Sequence, residues 1–226
     1  MCLTIFPKFM MIAQCVMLFA SGAEQGPNLI QGKPERRLIA TAVRVIDGTP
    51  RVLLLYAQPL EPRIPYPNYE DSCNIAYFLV ERACGSSEDN ETLLWVRYLF
   101  QPDKDNSLLW RGAICAEAGE ATYVVLGRHD GLLKLYVFAY KVEGVSLGEI
   151  PHSDAENVDN WPKPSADAVS RKELKVNFGP VHGIACLFNG DSLLLSVQQA
   201  EHCNYRLDLK TAGWCRLGCE QAADVR

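Results

Sequence analysis

The sequence predicts an all-β protein, arranged as a propeller-like array of antiparallel hairpins, with a β-sandwich as the alternative. Three observations predict this fold class. Runs rich in Val, Leu and Ile alternate with turn sequences that contain Gly, Asn and Asp. No window of 11 or more residues has a convincing 3.6-residue apolar period. Hydrophobic residues form 48% and charged residues 22% of the 226-residue chain, which favours a folded domain over disorder.

The first 23 residues have the features of a secretory signal peptide. Lys8 is the only charge before Glu24, and an apolar run over 9–20 is followed by small residues. The run is shorter than the roughly 20 residues that a membrane-spanning helix needs. We therefore expect a signal peptide over 1–23 and a single all-β domain over 24–226, secreted or otherwise extracytoplasmic, with no membrane span. A buried N-terminal strand or helix in a cytoplasmic protein is the alternative.

Cysteine usage is consistent with export. Of nine cysteines, Cys2 and Cys15 precede residue 24, so seven remain in the predicted domain. Disulfides are expected in an oxidising compartment, and an odd number leaves at least one thiol free or paired with another chain. Cys203 and Cys215 flank a predicted hairpin and are close enough in that arrangement to pair. The Asn90-Glu91-Thr92 sequon is a further, weaker sign of a secreted protein.

The predicted strands indicate the bonding state of four other cysteines. Cys73 and Cys84 flank a predicted strand, and extended residues would hold their Cα atoms far beyond the 7 Å or so that a disulfide allows. We therefore expect no bond between them. Cys115 and Cys186 lie in apolar runs and are predicted to be buried thiols.

The cysteines near the C-terminus also contain zinc-ligand types. His202, Cys203, Cys215 and Cys219 carry suitable atoms, but their spacing matches no recognised zinc finger. Disulfides or buried thiols are therefore the prediction, and no metal or cofactor is expected.

Turn sequences order the strands. Leu38–Ile46 and Arg51–Gln58 flank Asp47-Gly48, a strong hairpin signal. Further strands are predicted over Ser72–Ala83, Thr92–Phe100, Leu108–Cys115, Thr122–Gly127, Leu132–Val142, Val181–Phe188, Ser192–Gln198, Cys203–Leu209 and Trp214–Leu217. Ala166–Leu174 comes nearest to a helical pattern. Pro59–Asp71 and Gly148–Ser165 are predicted to be long loops without regular structure.

Similar short sequences recur in different predicted hairpins, which suggests a duplication. Ala40–Val43 resembles Ala121–Val124, and Leu99-Phe100 resembles Leu187-Phe188. Offsets of roughly 80–90 residues predict about four blades, with two four-stranded blades in each repeat. Convergence of unrelated hairpins on similar turns is the alternative.

One stretch resembles a known family. Tyr205–Trp214 is similar to the outer hairpin of a kelch-type propeller repeat, because Asp208 precedes Trp214 by six residues. The resemblance implies that the Asp caps the turn and that the indole packs between adjacent sheets. Asp103–Trp110 is similar to the Asp-box turn of sialidase-type propellers.

Composition and motifs favour binding over catalysis. The net charge of −5 disfavours nucleic acid as a partner, and the common catalytic signatures are absent. We predict a non-enzymatic secreted protein whose surface loops recognise a protein or a glycan. A carbohydrate-active hydrolase that uses Asp154, Glu156 or Asp159, and an intracellular kelch-like adaptor, are the alternatives. The predicted binding residues are Tyr66, Tyr69, His129, Asp130, Asp154 and Trp161.

Overall fold

Twelve β-strands form the described part of this computed structural model. That part comprises residues 36–64, 73–85, 90–99, 110–117, 121–129, 134–148, 162–175, 181–199 and 201–221, without the side chains of 59–64, 73, 74, 110, 129 and 221. The strands are β1 Arg37–Ile46, β2 Thr49–Ile64, β3 Cys73–Ala83, β4 Thr92–Leu99, β5 Trp110–Cys115, β6 Thr122–His129, β7 Lys134–Val142, β8 Ser170–Lys175, β9 Gly183–Asn189, β10 Ser192–Gln198, β11 Glu201–Asp208 and β12 Trp214–Gln221. The all-β prediction is confirmed for these residues.

The strands form three four-stranded antiparallel sheets, each made from consecutive strands. The first sheet has the order β1-β2-β3-β4, the second β5-β6-β7-β8 and the third β12-β11-β10-β9. Every pairing is between sequence neighbours, so each sheet is a simple meander. In the described ranges, no helix is long and apolar enough to cross a membrane.

Two predicted hairpins have tight two-residue turns. Ile46 pairs with Thr49 across Asp47-Gly48, and both turn residues have positive φ, as a type I′ turn requires. Asn189 pairs with Ser192 across Gly190-Asp191, and Gly190 has φ 59°. These turns fix the register of their strands and confirm the hairpins predicted from sequence.

The sheets approach each other most closely along their first strands. Strand β1 lies beside β5, and β5 lies beside β9. These strands begin at residues 37, 110 and 183, so one sheet follows another every 73 residues. One four-stranded sheet therefore occupies the whole repeat, where the sequence predicted two blades in 80–90 residues.

The similar short sequences that suggested the longer repeat lie on strands that occupy different positions in their sheets. Ala40–Val43 lies on the first strand of its sheet, whereas Thr122–Val124 lies on the second strand of the next. The predicted strands before and after Gln101–Ser107 also belong to different sheets, since β4 ends the first sheet and β5 begins the second. The described part contains three sheets that do not close into a ring, so the expected propeller of about four blades stays a prediction.

Two hydrophobic clusters join the sheets. Between the first and second, Trp95 is fully buried and packs against Tyr140 with ring centroids 5.2 Å apart. Between the second and third, Tyr123 meets Phe188 edge-on with centroids 5.9 Å apart. Leu193, Leu195 and Leu207 are completely buried there. Together these clusters make the two inter-sheet contacts continuous apolar cores.

Glycines on neighbouring strands of the second sheet permit these contacts. A Cβ at Gly112 would lie 2.7 Å from Leu55 and 2.9 Å from Ile39 of the first sheet. A Cβ at Gly127 would collide with Cδ1 of Ile184 in the third sheet. The second sheet therefore has a close-approach glycine on each face.

The two described ends of the connection between β7 and β8 lie beside β4. The backbone N–H of Leu147 donates to the Leu93 carbonyl, and that of Ser165 donates to the Val96 carbonyl, both at 2.9 Å. We name residues 162–168 the strap. Ala166–Leu174 has a weak helical pattern in the sequence, but it contains no helix: its last five residues belong to β8, which pairs with β7.

The proline-rich stretch after residue 58 is also more regular than predicted. Strand β2 continues to Ile64 and pairs Pro59 with Ile75, although Pro59–Asp71 was expected to be a loop. Strand β1 pairs with β2 only as far as Ala57, so beyond that point one side of β2 has no β1 neighbour. A proline is tolerated in a strand where its missing N–H faces no partner.

Candidate functional site

The binding residues predicted from sequence lie almost entirely outside the described residues. This holds for Tyr66, Tyr69, Asp130, Asp154 and Trp161.

His129 is the last residue of β6 and pairs with Leu135, while its side chain is outside the described set. The six residues therefore stay predictions.

The most distinctive described surface is the side of the third sheet that faces away from the second sheet. We call it the outer face. Leu187 on β9 is 57% exposed and Leu217 on β12 is 54% exposed. Leu194 on β10 lies between them in sheet order and is partly exposed. The outer face thus presents aliphatic side chains from β9, β10 and β12, while β11 contributes the polar Asn204 between them.

This face contains a shallow groove with a volume of about 520 Å³. The groove crosses all four strands of the sheet, and none of the described residues that line it is aromatic. It is lined by Ala185, Leu187, Leu194, Leu195, Ser196, Asn204, Leu217, Gly218, Cys219 and Glu220. Exposed apolar surface that is grooved and contiguous is typical of protein interaction sites.

Opposite charges stand at the two ends of the groove. Arg206 is exposed on β11, on the same side as Asn204, and pairs with Cys215 near one end. Glu220 pairs with His202 at the other end and lines the groove. The outer face therefore has an aliphatic centre between a positive and a negative end.

The corresponding side of the second sheet is covered. Alternate residues of β5 face opposite sheets: Ile114 packs toward the first sheet, whereas Ala113 packs toward the third. On β9, Ile184 packs back against the second sheet, so Ala185 and Leu187 point forward. A further sheet that packed on the third sheet as the third packs on the second would cover the side of β9 that bears Ala185 and Leu187.

The disulfide nearest this face differs from the predicted one. Cys203 and Cys219 are directly opposite on β11 and β12 and are bonded, with Cα atoms 4.0 Å apart. Cys215 is an exposed free thiol and pairs in register with Arg206, so the predicted Cys203–Cys215 bond is wrong. The continuous strand β3 places Cys73 and Cys84 at opposite ends, as expected, and Cys84 is disulfide-bonded.

Two of the four residues with zinc-ligand atoms, Cys203 and Cys219, are brought together, but as a disulfide. Cys203, Cys219 and Glu201 have ligand atoms within 4.8 Å of one another, but both sulfurs are committed to the disulfide. The Arg216 guanidinium also lies 3.8 Å from the sulfur of Cys203, which places a positive charge where a cation would bind. This cluster is therefore suited to structural cross-linking.

The turn between β11 and β12 has the local contacts that the kelch resemblance implied. Asp208 Oδ1 accepts hydrogen bonds from the backbone N–H groups of Lys210 and Thr211 at 3.0 and 2.8 Å. The Trp214 indole packs on the core between the second and third sheets and donates to Ser170 Oγ at 2.8 Å. The aspartate caps the turn, and the indole ties β12 to β8.

Asp208→Ala is expected to lower the melting temperature, because the turn N–H groups lose their acceptor. Hydrogen bonds from Thr211, then from Lys210, lower the pKa of Asp208 below its ordinary 3.8. A lowered folded-state pKa stabilises the fold above the ordinary pKa, and this contribution is lost as pH falls through the folded value. The difference in melting temperature between wild type and Asp208→Ala should therefore shrink as the pH falls below about 3.8. A pH-independent difference between the two would contradict this role, and Asp208→Asn serves as the uncharged control.

Positive charge also gathers where the first strands begin. Arg111 Nε donates to the Val181 carbonyl at 2.9 Å and so links β5 to the start of β9. Burial, and then the charge of Arg37, lower the pKa of Arg111. Burial raises the pKa of the Tyr77 phenol beyond that of an exposed tyrosine. Two arginines, from the first and second sheets, therefore lie close together at this end, and one of them binds the backbone just before β9.

No protein-family model matches the chain, and no curated protein is significantly similar to it.

The sequence does contain a signal for the outer face. Residues 184–188 and 193–195 are almost continuously apolar, so both faces of β9 and β10 are apolar. Such a run is typical of a strand that is covered on both sides.

Proposed function

We propose that this chain is a secreted, non-enzymatic interaction protein that binds a partner protein through the outer face of its third sheet. One observation carries the proposal: an exposed groove lined largely by aliphatic side chains lies on the side of the third sheet that faces away from the second sheet. Apolar surface of this kind gains free energy when a partner removes it from water.

We further propose that the sheets are blades of a propeller-type array. Consecutive four-stranded meanders whose first strands lie side by side support this interpretation. Face-to-face stacking of the sheets, as in a layered sandwich, is the other arrangement compatible with the same strand order. In both, the outer face is where a further sheet would pack.

The proposed partner is a protein that presents an aliphatic β-sheet. It would place an acidic side chain opposite Arg206 and a basic side chain opposite Glu220, in keeping with the charges at the ends of the groove. Sugar binding commonly uses aromatic platforms, and the groove lining has none. This chemistry favours a protein over a glycan, while the loop residues Tyr66 and Trp161 stay predictions.

Export is part of the proposal. The Cys203–Cys219 disulfide supports an oxidising compartment, where such bonds persist. Asn90 of the glycosylation sequon is exposed.

Site-specific photo-crosslinking tests the proposal. A benzophenone amino acid at position 217 is expected to give a discrete adduct with one protein in the fluid into which cells export the chain. The same amino acid at Lys172, exposed on β8, is the matched control. Peptide mapping identifies the partner; a second copy of this chain in the adduct would replace the proposed partner by self-association. Equal yields from positions 217 and 172 would contradict the proposal.

Leu217→Asp is expected to weaken binding of that partner by about 10–100-fold, since it places an uncompensated charge in a desolvated contact. The melting temperature should change little, because Leu217 is 54% exposed. Val169→Asp, at a residue that is 47% exposed beside β8, supplies the same charge change away from the outer face. Isothermal titration with the identified partner measures both variants, and unchanged affinity for Leu217→Asp would remove the outer face from the interface.

A further inference from the structure

The seam between β5 and β9 holds two cysteine thiols that no disulfide accounts for. Cys115 ends β5 and is 1% exposed, and Cys186 lies in the middle of β9, packed against the same core cluster. Both are free thiols on the facing sides of their strands, because Ala113 and Ile184, each two residues earlier, also pack into the core between the second and third sheets. The two cysteines therefore face the same core from adjacent strands, although they are 71 positions apart in the chain.

The surrounding contacts hold these sulfurs in register. Tyr123 pairs with Cys115 across β5 and β6, and its ring meets Phe188, two residues beyond Cys186. On the other side of Cys186, Ile184 packs at Gly127. Contacts on both sides of Cys186 thus fix how β9 lies against the second sheet.

We propose that Cys115 and Cys186 form a disulfide that links the second and third sheets along their first strands. A low-molecular-weight disulfide such as oxidised glutathione serves as the oxidant. One cysteine thiolate attacks it and releases one glutathione; the second cysteine then displaces the other glutathione from the mixed disulfide. The two cysteines lose two electrons and two protons, and one glutathione disulfide becomes two glutathione thiols.

The bond is made during folding rather than in the finished core. The hydrogen bond to Cys115 and burial raise the pKa of Cys186, so the native pair contains little of the thiolate that exchange requires. Before the sheets close, both thiols are accessible to the oxidant. Once formed, the bond is shielded from reductants by the same burial.

Thiol mapping of the full chain, produced in an oxidising secretory system, tests the proposal. The protein is denatured and alkylated without reductant, then digested and analysed by mass spectrometry. A linked peptide pair containing Cys115 and Cys186 is expected, with alkylation of both residues only after reduction. Cys215, an exposed free thiol, is the internal control and should be alkylated in both samples. Alkylation of Cys115 and Cys186 to the same extent as Cys215 before reduction would overturn the proposal.

A kinetic experiment tests the order of events. When the reduced chain is first folded and then exposed to oxidised glutathione, linkage of Cys115 to Cys186 should be at least about 10-fold slower than during refolding in the same buffer. Equal rates would show that the native core admits the oxidant and would refute the folding-stage step. Cys115→Ala/Cys186→Ala is expected to lower the melting temperature of the oxidised chain by on the order of 5–10 °C. If that variant does not fold, the linked peptide in the wild-type chain still decides the proposal.

Discussion

Gly127→Ala is expected to destabilise the chain by about 1–3 kcal/mol, because the new methyl group collides with Cδ1 of Ile184. The sign is informative, since glycine in a strand interior usually costs about 0.5–1 kcal/mol relative to alanine. Gly218→Ala is the matched control: no atom lies within 4 Å of its Cβ position, so that variant should be neutral or slightly more stable. Chemical denaturation of each variant provides the measurement.

A rescue variant isolates the contact. Ile184→Val removes the colliding Cδ1 atom and alone should cost about 0.5–1.5 kcal/mol. Combined with Gly127→Ala, it should cost less than the sum of the two single effects by at least about 1 kcal/mol. Additive losses would mean that Gly127 and Ile184 are not in contact, and that the proposed register of the second and third sheets is incorrect.

Arg97→Met is expected to destabilise the chain by about 2–3 kcal/mol, because a buried guanidinium holds the strap on the first sheet. Its Nη1 donates to the Ser165 carbonyl at 2.7 Å, and its guanidinium lies over the Tyr140 ring at 5.5 Å. Methionine preserves much of the length but none of the donors. Denaturation measures the loss, and faster hydrogen exchange at the Ser165 amide locates it, since that amide donates to Val96.

The ion pair of Arg97 should matter much less than its buried contacts. Asp167 lies 2.8 Å from Arg97 Nη2, but its side chain is 91% exposed. Exposed pairs contribute about 0–1 kcal/mol, so Asp167→Asn should remain within that range. Equal losses from Arg97→Met and Asp167→Asn would contradict the assignment of the stabilisation to Ser165 and Tyr140.

Local features of the fold were predictable from the sequence because they depend on neighbouring residues. Asp47-Gly48 specifies a hairpin through its positive-φ turn, and Asp208 caps its turn through groups two and three residues away. Cys115 and Cys186 were expected to be buried thiols; Cys115 is buried, whereas Cys186 is only partly buried against the same core. These outcomes need no knowledge of how the sheets meet.

Features set by long-range packing were not predictable in the same way. The 73-residue repeat could not be predicted from similar short sequences, because those sequences lie on strands with different positions in their sheets. The pairing of Cys203 with Cys219 depends on a register shift in β12 that no hairpin rule specifies. Strand β8 lacked an apolar alternation because only Ser170 and Leu174 among its residues are buried.

The candidate site shows the same division. Loop aromatic residues are conspicuous in a sequence, whereas Leu187 and Leu217 resemble any strand residues until the sheet order is known. The exposure of these side chains follows from the third sheet's position at the end of the described stack.

Side-chain footprinting with hydroxyl radicals is the most direct test of the claim that the outer face binds a partner. Leu187 and Leu217 should be oxidised rapidly in the isolated chain, while Leu193 and Leu195, which are buried, should not. In the isolated complex with the crosslink-identified partner, Leu187 and Leu217 should become protected, while Val169, 47% exposed beside β8, should be unchanged. Equal oxidation of Leu187 and Leu217 with and without the partner would contradict the account.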